Sequence, residues 1–340
     1  MKRKFFFMVA IVSVLIVCLS LASCGRAGAR TGYVTENRNI AFAHTVSGTH
    51  KYHQAFEEFV RLLEEKSNGR FSGNIFPNTL GNDRDLFEGL QMGTIEIAGV
   101  NSGIISTAAP SIGIIDLPFL WRSSEHARAV LESDIGDQFK RDIEEQAGII
   151  VLNFWENGFR NFTNNIRPIR SIDDIAGLKL RVMDVPLKIE TFRDAFRSNP
   201  TPMGMSEVYS AMQMGVVDGH DNSLDTIYAN SLFEVQRYLS ISRHIWGTYV
   251  INVSPRFWNS LSPEDQAIFR EASALANEYS WKISERIYQE SLEALRELMV
   301  VTEFEDMDIQ SFVNSVQPIW ERHADRFDPE LIARIVNFVY

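Results

Sequence analysis

Two periods of apolar positions alternate along the chain, and together they predict an α/β protein. Short apolar runs at Ile40–Ala43, Phe71–Phe76, Ile95–Val100, Ile149–Phe154, Leu178–Val182, Val216–Gly219 and Tyr249–Val253 read as strands. Between them the apolar residues recur at helical spacing. Phe56, Phe59, Val60 and Leu63 share one face of a helix that Thr49 can cap and that Asn68-Gly69 stops after Lys66. Further helices are expected from about Asp83 to Met92, ended by Gly93, and over Glu125–Gln146, Leu187–Arg197 and Ser206–Met214. Ser171 ahead of Asp173 and Asp174 marks another helix start. Ser262-Pro263-Glu264-Asp265 combines a cap, a first-turn proline and early acids, and neither Gly nor Pro interrupts the chain from Glu264 to Val300. A helix of that length outruns a single lobe and is expected to run along or across two. An internal echo points the same way. Gly89-Leu-Gln-Met-Gly93, a strand and Asn101-Ser102 parallel Ala211-Met-Gln-Met-Gly215, a strand and Asn222-Ser223.

The N-terminus carries a different pattern. Lys2, Arg3 and Lys4 precede an uncharged apolar run from Phe5 to Leu21, followed by Leu21-Ala22-Ser23-Cys24. A basic start, an apolar stretch and small residues before a cut form a secretory signal. The cysteine directly after Leu-Ala-Ser resembles the lipobox of bacterial lipoproteins, which makes Cys24 the expected lipidation site. The other reading is an uncleaved anchor, the run being near the lower limit of about 17 residues for a spanning helix. Either way the remainder is expected outside the cytoplasm, tethered to a membrane. Residues 25–37 read as a spacer between lipid and fold.

Removing residues 1–23, with three positive charges and no acid, takes the formal net charge from −11 to −14. That charge argues against nucleic acid and anionic lipid surfaces as partners, and leaves small anions open because they respond to local charge. Cys18, the other cysteine, lies inside the signal, so the mature chain has no disulfide and no thiol chemistry. About 315 residues suffice for two domains.

Catalytic signatures are scarce, and no cofactor is expected. His50 and His53 lack a third ligand at zinc spacing, so no metal site is predicted. No Gly-x-Ser-x-Gly elbow, phosphate-binding loop or Gly-x-Gly-x-x-Gly occurs. Basic residues at strand ends carry the stronger signal. Lys179 and Arg181 alternate with Leu178, Leu180 and Val182, and Arg160 follows another strand in a Gly-containing turn. In open α/β sheets ligands bind beyond the carboxyl ends of strands, and an arginine there offers two parallel donors to a carboxylate. Either arginine alone reads more readily as a surface or inter-lobe salt bridge. Two in matching positions, with Asn222 at a third strand end, point to an anion site.

Around these residues the chain resembles the extracytoplasmic solute-binding proteins of TRAP (tripartite ATP-independent periplasmic) transporters. The similar stretches run from about Ile40 past Asp265. They include Glu64-Glu-Lys-Ser-Asn-Gly-Arg70, Phe76-Pro-Asn-Thr-Leu-Gly-Asn-Asp-Arg84, Asp116-Leu-Pro-Phe-Leu120, Asn157-Gly-Phe-Arg160, Asp174-Ile-Ala-Gly-Leu-Lys-Leu-Arg181, Pro202-Met203 with Ser206-Glu-Val-Tyr209, and Met214-Gly-Val-Val-Asp-Gly219. The resemblance implies a two-lobed periplasmic-binding-protein-like α/β fold with a ligand cleft between the lobes and a long bridging C-terminal helix. Lobe I would comprise residues 38–157 with 248–285, and lobe II residues 158–247 with 286–340. It also implies a non-enzymatic role, capturing a carboxylate-bearing solute by lobe closure and delivering it to membrane permease subunits. Arg181 and Arg160 would hold the carboxylate, with Asn222 beside them and Asn101 and Ser102 on the opposite lobe. Met205 stands where the family often has an aromatic, and His220-Asp221-Asn222 where it usually has Gln-Glu-Asn. His44, Lys51, Glu156, Asp184 and His220 are further polar candidates, suited to the hydroxyls of a sugar acid such as a uronate. A C4-dicarboxylate or 2-oxo acid is the close alternative and would need a second cation, for which Lys51 is the candidate. Readings of other classes are a ligand-sensing lipoprotein and an extracytoplasmic hydrolase or lyase.

Overall fold

The computed structural model describes residues 37–324 and 326–340; the expected signal, Cys24 and all of the spacer but residue 37 lie outside these. Among the described residues a nine-stranded mixed sheet forms the frame. Its strands are β1 (Arg38–His44), β2 (Phe71–Pro77), β3 (Ile97–Asn101), β4 (Ile150–Asn164), β5 (Lys179–Val182), β6 (Asn199–Pro202), β7 (Gly219–Asn222), β8 (Tyr238–Val253) and β9 (Val300–Thr302). They are ordered β2-β1-β3-β8-β4-β7-β5-β6, with β9 also on β8. Two groups of short strands, β2-β1-β3 and β7-β5-β6, flank the long antiparallel pair β8 and β4, which both lobes share.

That pair corrects the sequence reading most. Ile149–Phe154 and Tyr249–Val253 were expected as ordinary short strands, with a turn at Trp155–Arg160. Instead β4 runs on for 15 residues and β8 for 16. Gly158 adopts φ 94°, open to glycine at no steric cost, but it relieves a bulge, not a turn. The β4–β8 register slips between Glu156 and Gly158 and again between Arg160 and Phe162. The polar triplet His220-Asp221-Asn222 hid β7, because buried side-chain partners, not apolar packing, justify a strand there.

Three apolar clusters fill the molecule. One packs Phe42, Phe56 and Phe59 against Trp155 and the start of the long helix. A larger one gathers Ile112–Ile115, Phe139, Phe162, Phe192 and Phe312. The third joins Val208, Met212, Leu239 and Leu295. The long helix spans Pro263–Leu298 without a break, Ser262 capping it by accepting from the Asp265 amide. Its Phe269 and Ala272 belong to the first cluster and its Leu292 and Leu295 to the third, so it runs from the β1–β2 side of the sheet to the start of β8 and β9. Smaller differences have local causes. His50, not Thr49, caps the Lys51–Lys66 helix, its ring accepting from the Tyr52 amide. The expected Glu125–Gln146 helix is two helices, because the Ser133 hydroxyl accepts from the Ile135 amide and starts the second.

Candidate functional site

Four lysine and arginine side chains are buried among the described residues: Lys51, Arg160, Arg181 and Lys188. A buried cation is costly unless an anion compensates it. Lys51 lies 3.1 Å from Asp225, and Lys188 lies 2.8 Å from Asp116. Arg160 is gripped by Asp221, its Nε and Nη2 both donating to the carboxylate while Nη1 donates to Asn222 Oδ1 at 3.1 Å. Arg181 differs. Its Nε and Nη2 donate to the Met203 carbonyl at 3.0 and 2.7 Å, and no carboxylate of the described residues lies within ion-pairing distance. Burial, with the charge of Arg160 next, lowers the Arg181 pKa to about 10.

Arg181 faces a cavity of about 40 Å³, room for a few waters, where side chains from both ends of the sheet meet. Arg160, Asn222, Asn101 and Met205 also line it, as the sequence reading expected. The remaining walls were not foreseen: Thr45, Tyr52, Asp83, Asn157, Met183 and Tyr249 among them. Tyr52 and Tyr249 stack with ring centroids 4.1 Å apart and planes 5° from parallel. Asp83 brings a carboxylate, which accepts from the Asn101 amide at 2.9 Å and the Thr45 hydroxyl at 3.1 Å. Burial raises its pKa above the usual carboxylate value. In the sequence Asp83 looked like a first-turn helix acid, which it also is; only the tertiary approach of β5 gives it a second role.

Beyond Arg181 the cavity opens into a chamber of about 270 Å³ that shares Asp83, Arg181, Met183 and Met205 with it. Two contacts close this mouth. Arg84 donates to the Asp184 carboxylate at 3.1 Å, and the Ser206 hydroxyl donates to Asn82 Oδ1 at 3.0 Å.

Other expected residues lie elsewhere. Ser102 donates to Asp116 at 3.0 Å, outside the cavity. His44 stacks on Phe56 and bonds His53 at 3.0 Å. His220 bonds the Thr163 hydroxyl at 2.7 Å, and burial lowers the pKa of both these histidines to about 3, leaving them neutral. Lys51 pairs with Asp225 at 3.1 Å and is not among the residues lining the cavity. Glu156 lines a different pocket, and Asp184 stands at the mouth. Arg160 touches the cavity, but its guanidinium is already neutralised.

Residues 42–326 match the family model of DctP, bacterial extracellular solute-binding protein, family 7. The chain belongs to this family. Its resemblance to DctP proteins extends to individual relatives. It is 30% identical over 282 residues to the 2,3-diketo-L-gulonate-binding periplasmic protein of Escherichia coli, covering 82% of this chain and 84% of that one. Among solved DctP-like structures, the sugar acid binding protein of Advenella mimigardefordensis in complex with galactonate superimposes with a TM-score of 0.85 at 30% identity, over 89% of this chain and 98% of that one. A TRAP solute-binding protein from a Bradyrhizobium species in complex with galacturonate gives 0.83 at 29% identity, over 88% and 99%. One from Sulfurospirillum deleyianum, with bound succinate, gives 0.82 at 26% identity, over 89% and 100%. As a DctP protein the chain is an extracytoplasmic solute-binding component of a TRAP transporter, acts on small carboxylated solutes, and is not an enzyme.

Proposed function

We propose that the solute is a hydroxylated monocarboxylate, a uronate such as glucuronate or galacturonate, clamped at Arg181 as the lobes close and then delivered to the permease. The observation that carries this reading is the pairing of one uncompensated buried cation with one carboxylate in the same cavity. Arg181 takes the solute carboxylate as a two-pronged donor. Asp83 repels a second carboxylate, which a C4-dicarboxylate would bring, and accepts from the hydroxyls of a sugar acid. Lys51, the cation that the dicarboxylate reading required, is held by Asp225. Asn222 and Asn101 supply further polar contacts, and the stacked Tyr52 and Tyr249 offer an apolar face to a sugar ring. Residues 38–157 with 248–285 would form one lobe and 158–247 with 286–340 the other, with Cys24 carrying the lipid anchor.

Thermal unfolding of the purified protein against uronates, aldonates, dicarboxylates and 2-oxo acids tests the assignment. A ligand at a hundred times its dissociation constant adds about 2.7 kcal/mol, enough to raise the midpoint by several degrees. A shift with glucuronate or galacturonate is expected; a shift with succinate or pyruvate alone would overturn it.

Closure has its own test at the mouth. A Cβ at Gly204 would lie 2.4 Å from the Asn82 side chain, and Asn82 is held in place by its capping box with Asp85. Gly204→Ala is therefore expected to weaken solute binding roughly five- to hundredfold, the range of overpacking penalties. Calorimetric titration reads the change, and an unchanged affinity would separate these contacts from closure.

A further inference from the structure

Glu156, a candidate for the solute site by sequence, is the acid on which a second cavity rests. This cavity, of about 460 Å³, lies beside the Gly158 bulge and shares only Asn157 with the Arg181 cavity. Its volume falls within the range of small-molecule sites. Glu156 is 8% exposed. It has one long hydrogen bond, from Trp246 Nε1 to Oε1 at 3.4 Å, and no Lys, Arg or His within ion-pairing distance among the described residues. Lys51 shares the floor but is held 3.1 Å from Asp225, so that pair cancels. At the rim Arg122 and Arg243 balance Glu125 and Glu285. Both arginines are also engaged, Arg122 donating to the Phe338 carbonyl and Arg243 to the Tyr288 hydroxyl at 3.2 Å. One uncompensated negative charge remains, at Glu156.

The walls around that charge are aromatic: Phe119, Trp121, Phe159 and Tyr288. A desolvated carboxylate among ring faces suits an organic cation, which gains from both. A hard metal ion needs several oxygen ligands, and no group of three or more acidic, His or Cys side chains is placed for a metal among the described residues. The geometry points to a second ligand site, for a small organic ammonium ion, with Glu156 as its counter-charge and the aromatic side chains as its walls.

Tetramethylammonium and choline, with the neutral tert-butyl analogue of choline as control, test the site. They are titrated against the purified protein while tryptophan emission, to which Trp121 in the wall and Trp246 on Glu156 contribute, and the unfolding midpoint are followed. Both cations are expected to give a saturable change at millimolar concentration, and the neutral analogue none. Glu156→Gln is expected to weaken the response by about tenfold or more. Tyr288→Ala, in the wall, should weaken it severalfold and keeps the test open if the Glu156 variant does not fold. Absence of saturation, equal binding of the neutral analogue, or wild-type affinity in folded Glu156→Gln would each overturn the proposal.

Discussion

Arg181→Ala is expected to abolish measurable solute binding while leaving the solute-free protein as stable as before, or more so. The two effects have one cause. In the bound state the variant strands a desolvated solute carboxylate, and breaking a buried charge pair in this way costs about 3–5 kcal/mol. That corresponds to between roughly two and four orders of magnitude in affinity. In the free state Arg181 is a buried cation with no carboxylate within ion-pairing distance among the described residues, its pKa lowered by burial and by Arg160 against the weaker opposing charges of Asp221, Asp83 and Glu207. A group whose protonated form is disfavoured in the folded state detracts from stability wherever it is protonated in both states, which for Arg181 includes neutral pH. Removing it lifts that cost. Calorimetric titration and thermal unfolding of the same samples check both halves. Wild-type affinity in the variant would dismiss Arg181 as the clamp; a large loss of stability would show that it is a structural residue instead. Arg181→Lys keeps the charge but not the fork, and belongs between the two.

The second large effect is expected at Asp221. Replacing it with Asn leaves Arg160 buried without its carboxylate and beside Arg181, so two neighbouring guanidinium groups face each other uncompensated. A loss of about 3–5 kcal/mol in unfolding free energy is expected. Burial alone would push the Asp221 pKa up, but the charge and hydrogen bonds of Arg160, with His244, hold it well below the usual carboxylate range. Such a carboxylate contributes stability that is complete above its unfolded value of about 4 and is lost only as the pH falls toward the lower folded one. The penalty of Asp221→Asn should therefore be the same at pH 5 and pH 7. Urea titrations at both pH values measure it. The double variant Arg160→Met with Asp221→Leu separates pairing from packing, because an apolar pair of similar volume can replace a buried ion pair at little cost. Recovery of most of the stability is expected. A single-variant loss below about 1 kcal/mol, the size of a surface ion pair, would show that Arg160 is not bound to Asp221 in solution.

Some of this architecture could be read from the residues because local chemistry decides it. The Pro263–Leu298 helix announces its start with Ser262, Pro263 and two acids, and nothing inside it competes. Arg181 was legible because a charged residue alternating with Leu180 and Val182 on a strand must face something specific. Asp83 was not, since its place at a helix start satisfies every local rule, and only the approach of β5 puts it opposite Arg181. Lys51 was hard to place for the opposite reason. It was named as the cation a dicarboxylate would need, while the partner 3.1 Å from it, Asp225, comes from a segment 174 residues later. The extent of β4 was hidden by Gly158, which marks turns and bulges with the same letter. Arg160 was placed in the right region with the wrong freedom, because its partner Asp221 sits across a strand pairing that periodicity does not reveal.

The shared β4–β8 ribbon also determines how the molecule can be divided. Among the described residues, β4 and β8 connect the two groups of short strands through continuous hydrogen-bonded pairing. A gene fragment ending near residue 157 would lack β8 altogether and leave β3 and the stump of β4 with open edges, which recruit other chains. The ribosome must finish the last strand of the pair, past Val253, before either binding surface has its backing.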